Sequence, residues 1–169
     1  MTPGPVFVHT NLVARDWEKL AQFYVGALGC ARKPPERNLE GKWLDQATSL
    51  RRAHLRGIHL LLPGYGAKGP TLEIFEYSRE RWSRAPAVNA PGFGHIAFAV
   101  QNVGNTLRQV ERCGGGRVGE RVSADIEGVG RIDFVYARDP EGNIIELQKW
   151  ERRSEGPRKA KSRRRAGRA

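Results

Sequence analysis

Short runs of alternating apolar and polar residues occur along this chain in two matching sets. Residues 6–13 and 92–100 each read as a strand with a histidine inside it, His9 in one and His95 in the other. Each run passes through a polar turn into an amphipathic segment. In the first segment Trp17, Leu20, Ala21 and Tyr24 recur at helical spacing, with Asp16 placed as the N-cap. In the second, Val103, Leu107 and Val110 share one face of a helix over residues 103–112. Both helices run into a Gly/Cys boundary, Gly29-Cys30 and Cys113-Gly114, where the chain calls for a left-handed residue. Further strands are predicted at 57–62 and 131–136. Closing strands at 69–75 and 142–148 follow turns built on Gly66 and on Asp139-Pro140-Glu141-Gly142. Residues 37–50 carry the weakest pattern, with a short helix predicted over 43–50.

A unit repeated in this way predicts an α+β fold: two βαβββ modules forming an open, barrel-like mixed sheet around a metal or ligand cavity. The modules fall at 1–82 and 92–150, joined by an Ala/Pro-rich linker at 83–91. Side chains alternate across a strand, so the pattern also assigns faces. Val8, Leu12, Leu72, Ile74, Ile96, Phe98, Ile145 and Leu147 are expected against the helices. The opposite set holds His9, Glu73, His95 and Glu146, with Asn11, Phe75 and Tyr77 beside them as expected pocket residues.

Each half thus supplies one His and one Glu, 64 residues apart in the first and 51 in the second. Two imidazoles and two carboxylates suit one divalent cation, whether Zn, Ni, Co, Mn or Fe(II), and leave the loaded site neutral. Three nearby residues are read differently. Glu76 lies on the other face and is expected to reach solvent at the strand end. His59 has no histidine counterpart in the second half, and His54 sits among arginines that imply exposure. Cys30 and Cys113 form no CxxC motif and are expected to be packing residues.

Composition changes the picture only at the C-terminus. Of the net charge of +11, residues 151–169 carry +7, from nine Lys/Arg against two Asp/Glu, which leaves +4 for the rest. That stretch has no apolar residue beyond alanine and is expected to be a disordered basic tail. With no aromatic residue to stack bases, nucleic acid is not the expected partner except through that tail. No apolar run approaches the ~20 residues that span a bilayer, and no secretory leader pattern opens the chain. The expectation is a cytoplasmic protein without a membrane partner.

The pattern resembles the vicinal oxygen chelate superfamily, which includes glyoxalase I, methylmalonyl-CoA epimerase, extradiol dioxygenases and the fosfomycin- and bleomycin-resistance proteins. The resemblance covers about residues 6–150. It rests on His9-Thr10-Asn11-Leu12, the Phe23-Tyr24 helix leading to Leu28-Gly29, Leu72-Glu73-Ile74, Gly94-His95-Ile96-Ala97-Phe98, and the run from Asp139 to Glu146. It implies paired βαβββ modules, a homodimer, and a divalent metal that chelates a small-molecule substrate through neighbouring oxygens. The His/Glu/His/Glu set is similar to that of glyoxalase I, whereas epimerases typically have Gln at the Glu73 position. Bacterial glyoxalase I usually adds an Arg four residues after the first His and an Asn four residues after the first Glu, both serving glutathione. Val13 and Tyr77 stand there in this chain.

The expected activity is therefore metal-dependent, glyoxalase- or epimerase-like proton transfer on a small oxygenated metabolite, a lyase or isomerase reaction. Glu146 or Glu73 is the expected base. Two alternatives stay open. An Fe(II) dioxygenase would use two His and one Glu, so a fourth candidate ligand weighs against it. A non-enzymatic binding or resistance protein of the same fold often lacks the ligand residues that this chain retains.

Overall fold

The computed structural model describes residues 4–79 and 86–151. The basic tail expected at 151–169 lies outside them except for Glu151, which ends the last strand, and so does part of the 83–91 linker. The first sheet contains β1 (His9–Val13), β2 (Ala31–Glu40), β3 (His54–Leu61) and β4 (Thr71–Tyr77), in spatial order β1-β4-β3-β2. The second contains β5 (Ile96–Ala99), β6 (Gly116–Arg117), β7 (Val122–Ile126), β8 (Gly130–Arg138) and β9 (Ile144–Glu151), in order β5-β9-β8-β6. In each sheet the opening strand runs parallel to the closing one, β1 on β4 and β5 on β9, and the other pairs are antiparallel.

The helices end where the sequence predicts. In α1 (Trp17–Leu28) the Asp16 carboxylate accepts from the Lys19 amide at 3.1 Å and so satisfies one of the free N–H groups of the first turn. Gly29 closes it with φ 71°, and the Cys30 amide reaches back to the Tyr24 carbonyl. In α3 (Val103–Arg112) Asn102 caps the Asn105 amide at 2.9 Å, and Gly114 takes φ 92° just past the end. The short helix expected at 43–50 is α2 (Lys42–Thr48).

Two features lay beyond the sequence pattern. β2 carries Pro34 and Pro35 and few apolar residues, because as an edge strand it needs neither a full ladder nor a buried face. Its counterpart in the second sheet is divided. β6 pairs with Arg138 and Ala137, and β7 pairs with the stretch from Phe134 back to Gly130, so two short strands share one edge of β8.

The main core joins the halves. α1 packs on β3 and β4, α3 packs on β8 and β9, and the two helices pack on each other. Leu72 and Ile74 from one sheet and Ile145 and Leu147 from the other are almost wholly excluded from solvent, as expected for the helix-bearing faces, and Leu60 and Val135 join them, whereas Val8, expected there too, precedes β1 and is exposed. The halves are also tied by polar bonds. The Tyr24 hydroxyl donates to Asp139 at 3.0 Å, and Glu141 accepts from the Arg15 and Asp16 amides at 3.0 and 3.3 Å. The sheets stay open and do not close into a barrel, in line with the open arrangement expected from the sequence. Among the described residues the ladders of β1 and β5 run only to β4 and β9, so one edge of each carries no strand.

Candidate functional site

On the first sheet, register sets three residues in a row across adjacent strands. Asn11 on β1 lies opposite Glu73 on β4, and Glu73 lies opposite His59 on β3. His9, two residues before Asn11, shares that face. The Glu73 carboxylate is the hub. Its Oε2 accepts from Asn11 Nδ2 at 3.0 Å and lies 3.6 Å from His9 Nε2, while Oε1 lies 3.0 Å from His59 Nε2. The rings of His9 and His59 meet edge to face at 5.7 Å. The far nitrogen of His59, Nδ1, lies 2.9 Å from Thr71 Oγ1. Burial, with the charges of Arg37 and Lys33 and the nearby His9, holds the His59 imidazole below its ordinary pKa against the opposing pull of Glu73.

The second sheet repeats half of this arrangement. His95 Nε2 lies 2.9 Å from Glu146 Oε2, and the His95 ring tilts against Tyr136 at 5.3 Å. In the row through Glu146, Ala97 stands where the first sheet has Asn11, and Tyr136 stands where it has His59. Among the described residues His95 is the one polar side chain on the Glu146 carboxylate.

These distances fit metal-binding chemistry in pairs. Ligands bound about 2.0–2.2 Å from a cation sit roughly 3–3.5 Å from each other, the range the His–Glu pairs approach. Imidazole nitrogen beside carboxylate oxygen is also a donor set that borderline divalent ions take. Within one chain, however, the four predicted ligands form two pairs. Among the described residues no three His, Cys, Asp or Glu side chains come together in a metal-holding group. His9 and His95 do line one cleft of about 590 Å³ between the open edges of β1 and β5, along with Phe7, Leu12, Phe93 and Ile144.

Geometry bears on four other expectations. Of the predicted pocket residues, Asn11 lines that cleft. Phe75 packs in a small separate core with Leu44 of α2, Ala53 and Leu55, and Tyr77 packs against it. Glu76 is on the helix face as expected, but it is held there, by Arg56 at 2.8 Å and by the Trp17 amide at 3.4 Å. His59 has no histidine partner in the repeat, yet it is bonded to Glu73. Its place opposite Glu73 is a property of strand register, and that pairing could be read only once both strands were aligned. Cys30 is a buried packing residue, its thiol pushed up to about 11 by burial.

Two βαβββ units, each placing a His–Glu pair on the face away from its helix, define a paired-module α+β protein with two half-sites. A sequence profile of the Glyoxalase/Bleomycin resistance protein/Dioxygenase superfamily matches residues 6–147, and the chain belongs to that superfamily. It is similar to proteins named "Probable lactoylglutathione lyase" from Vibrio cholerae and Vibrio parahaemolyticus. Each is 25% identical over 142 residues, covering 83% of this chain and 87% of the relative. Among solved structures, a glyoxalase family protein from Bacillus cereus aligns with TM-score 0.74 at 20% identity, covering 89% of this chain and 98% of that one. A fosfomycin resistance protein from Listeria monocytogenes aligns with TM-score 0.53 at 20% identity, covering 89% and 96%. At such identities these structures speak for the fold alone. No helix among the described residues is long and apolar enough to cross a membrane.

Proposed function

We propose that this protein is a metal-dependent enzyme of the lyase or isomerase type, moving a proton on a small oxygenated metabolite. His9, Glu73, His95 and Glu146 would hold one divalent cation. The observation that carries this reading is the repeated pair: one imidazole nitrogen beside one carboxylate oxygen, at matching positions in both sheets. When bound, the cation would stabilise negative charge developing on a substrate oxygen as an adjacent C–H proton leaves. The chain's own residues supply the rest. Glu146 or Glu73 accepts that proton and returns it to the neighbouring carbon. The cleft between β1 and β5, with Phe7, Leu12, Phe93 and Ile144 in its walls, offers apolar surface beside His9 and His95.

A single chain keeps the two pairs apart, so the reading also calls for a homodimer in which a second copy brings them together. Exposed Val6, Phe7, Val8, Val13 and Phe93 cluster in sequence around β1 and the approach to β5, beside the two open strand edges. Such surface is usually covered in a working protein. Glutathione adducts are not the favoured substrate. Val13 and Tyr77 occupy the positions where the resemblance expects an Arg and an Asn, and Tyr77 is taken up in packing near α2.

Metal analysis of protein purified without added metal tests the reading. One divalent ion per chain is expected, and His95→Ala and Glu146→Ala should each abolish stoichiometric binding. A metal-free chain whose thermal stability ignores Zn, Ni, Co and Mn would overturn it.

A further inference from the structure

Glu73 and Glu146 hold equivalent register positions, but their surroundings differ. Glu73 stands between two hydrogen-bond donors, Asn11 and His59, whereas Glu146 stands between Ala97 and Tyr136. An ionised carboxylate only accepts hydrogen bonds. The 3.0 Å approach of His59 to Oε1 therefore places a ring proton on Nε2, and in the neutral imidazole Nδ1 then accepts from the Thr71 hydroxyl at 2.9 Å. The bonds run in one direction, from Thr71 to His59 to Glu73. Thr71 is buried on the same strand as Glu73, so the relay is anchored in the ladder itself. Asn11 fixes the other oxygen at 3.0 Å.

We infer that His59 is a positioning residue which, together with Asn11, pins both oxygens of Glu73 and presets that carboxylate for the cation. This rests on the metal reading above. A partner hydrogen-bonded to a ligating carboxylate fixes its orientation and so tightens metal binding without touching the metal.

Cobalt(II) titration of the full chain against a competing chelator, with the visible absorption spectrum recorded, tests the inference. His59→Ala is expected to weaken Co(II) binding about 10–100-fold while keeping the stoichiometry and the ligand-field spectrum. His59→Gln, whose amide N–H can still reach Oε1, should recover most of that loss. Thr71→Val, which removes only the donor to Nδ1, should weaken binding in the same direction by a smaller factor. It also serves as the test if His59→Ala does not fold. Wild-type affinity in both His59→Ala and Thr71→Val would overturn the inference, as would His59→Gln behaving no better than His59→Ala. Complete loss of stoichiometric Co(II) with a changed spectrum in His59→Ala would overturn it too, by making His59 a ligand. Failure of the wild-type chain to bind Co(II) would instead bring down the metal reading on which it stands.

Discussion

Replacing Tyr24 with Phe should show how firmly the two halves are locked together. Asp139 is 3% exposed and accepts four hydrogen bonds: from the Glu141 and Asn143 amides at 3.0 and 2.9 Å, from the Asn143 side chain at 2.8 Å, and from Tyr24 at 3.0 Å. Three of these shape the turn that leads into β9 and Glu146. The fourth crosses to α1 of the other half. Burial raises the Asp139 carboxyl above its ordinary range even against the bonds from Asn143, Tyr24 and Glu141. Removing the one donor from the other half leaves the local three, so the loss should match a single buried, charge-assisted bond, about 1.5–3 kcal/mol. For a chain of this size that is a fall in Tm of roughly 3–12 °C, since each kcal/mol shifts it about 2–4 °C. A carboxyl whose folded pKa is raised gives up stability as pH climbs through that pKa. Tyr24→Phe removes a bond that favours the ionised form, so its deficit should widen as pH rises through the ionisation of Asp139 and narrow in acid. Urea unfolding at several pH values measures this. A deficit under about 0.5 kcal/mol at neutral pH, or one that does not vary with pH, would refute the idea that this bond couples the halves.

Two further outcomes follow from the half-sites and the sheet. If a second copy completes the site, chains carrying His9→Ala with Glu73→Ala and chains carrying His95→Ala with Glu146→Ala should bind no metal alone but regain some when unfolded and refolded together. Random pairing into two-fold dimers would restore about 0.25 ion per chain, and none recovered would place the complete site within one chain. Gly57→Ala should destabilise the first sheet by about 2–4 kcal/mol. A Cβ at φ 157° would run into the Ile74 carbonyl and the Phe75 ring, and a variant as stable as the parent in urea would contradict that.

What the sequence disclosed follows the physics of each element. α1 and α3 were legible because a buried stripe such as Trp17, Leu20, Ala21 and Tyr24 must recur every three or four residues, and because Asp16 and Gly29 mark the ends chemically. β4 and β9 were legible because one face is covered by a helix and the other is not, which enforces alternation. β2 was not, because an exposed edge strand holding Pro34 and Pro35 is under no such constraint. The His–Glu pairs could be found by lining up the two halves. How near those pairs come to each other could not, because it depends on how α1 and α3 pack rather than on any strand's pattern.

The repeat also explains why His59 does not stand out as a site residue in the sequence, and the reason bears on how the site would work. A search for equivalent residues selects what the two halves share, whereas division of labour between two carboxylates must come from what they do not share. Here the shared part is His9–Glu73 and His95–Glu146. The unshared part is Asn11 and His59 on one side against Ala97 and Tyr136 on the other. A carboxylate held at both oxygens by neighbouring side chains loses freedom to swing, while one that meets only its own histidine keeps it. Under the proposed function, the surroundings therefore favour Glu146 for moving a proton and Glu73 for holding still.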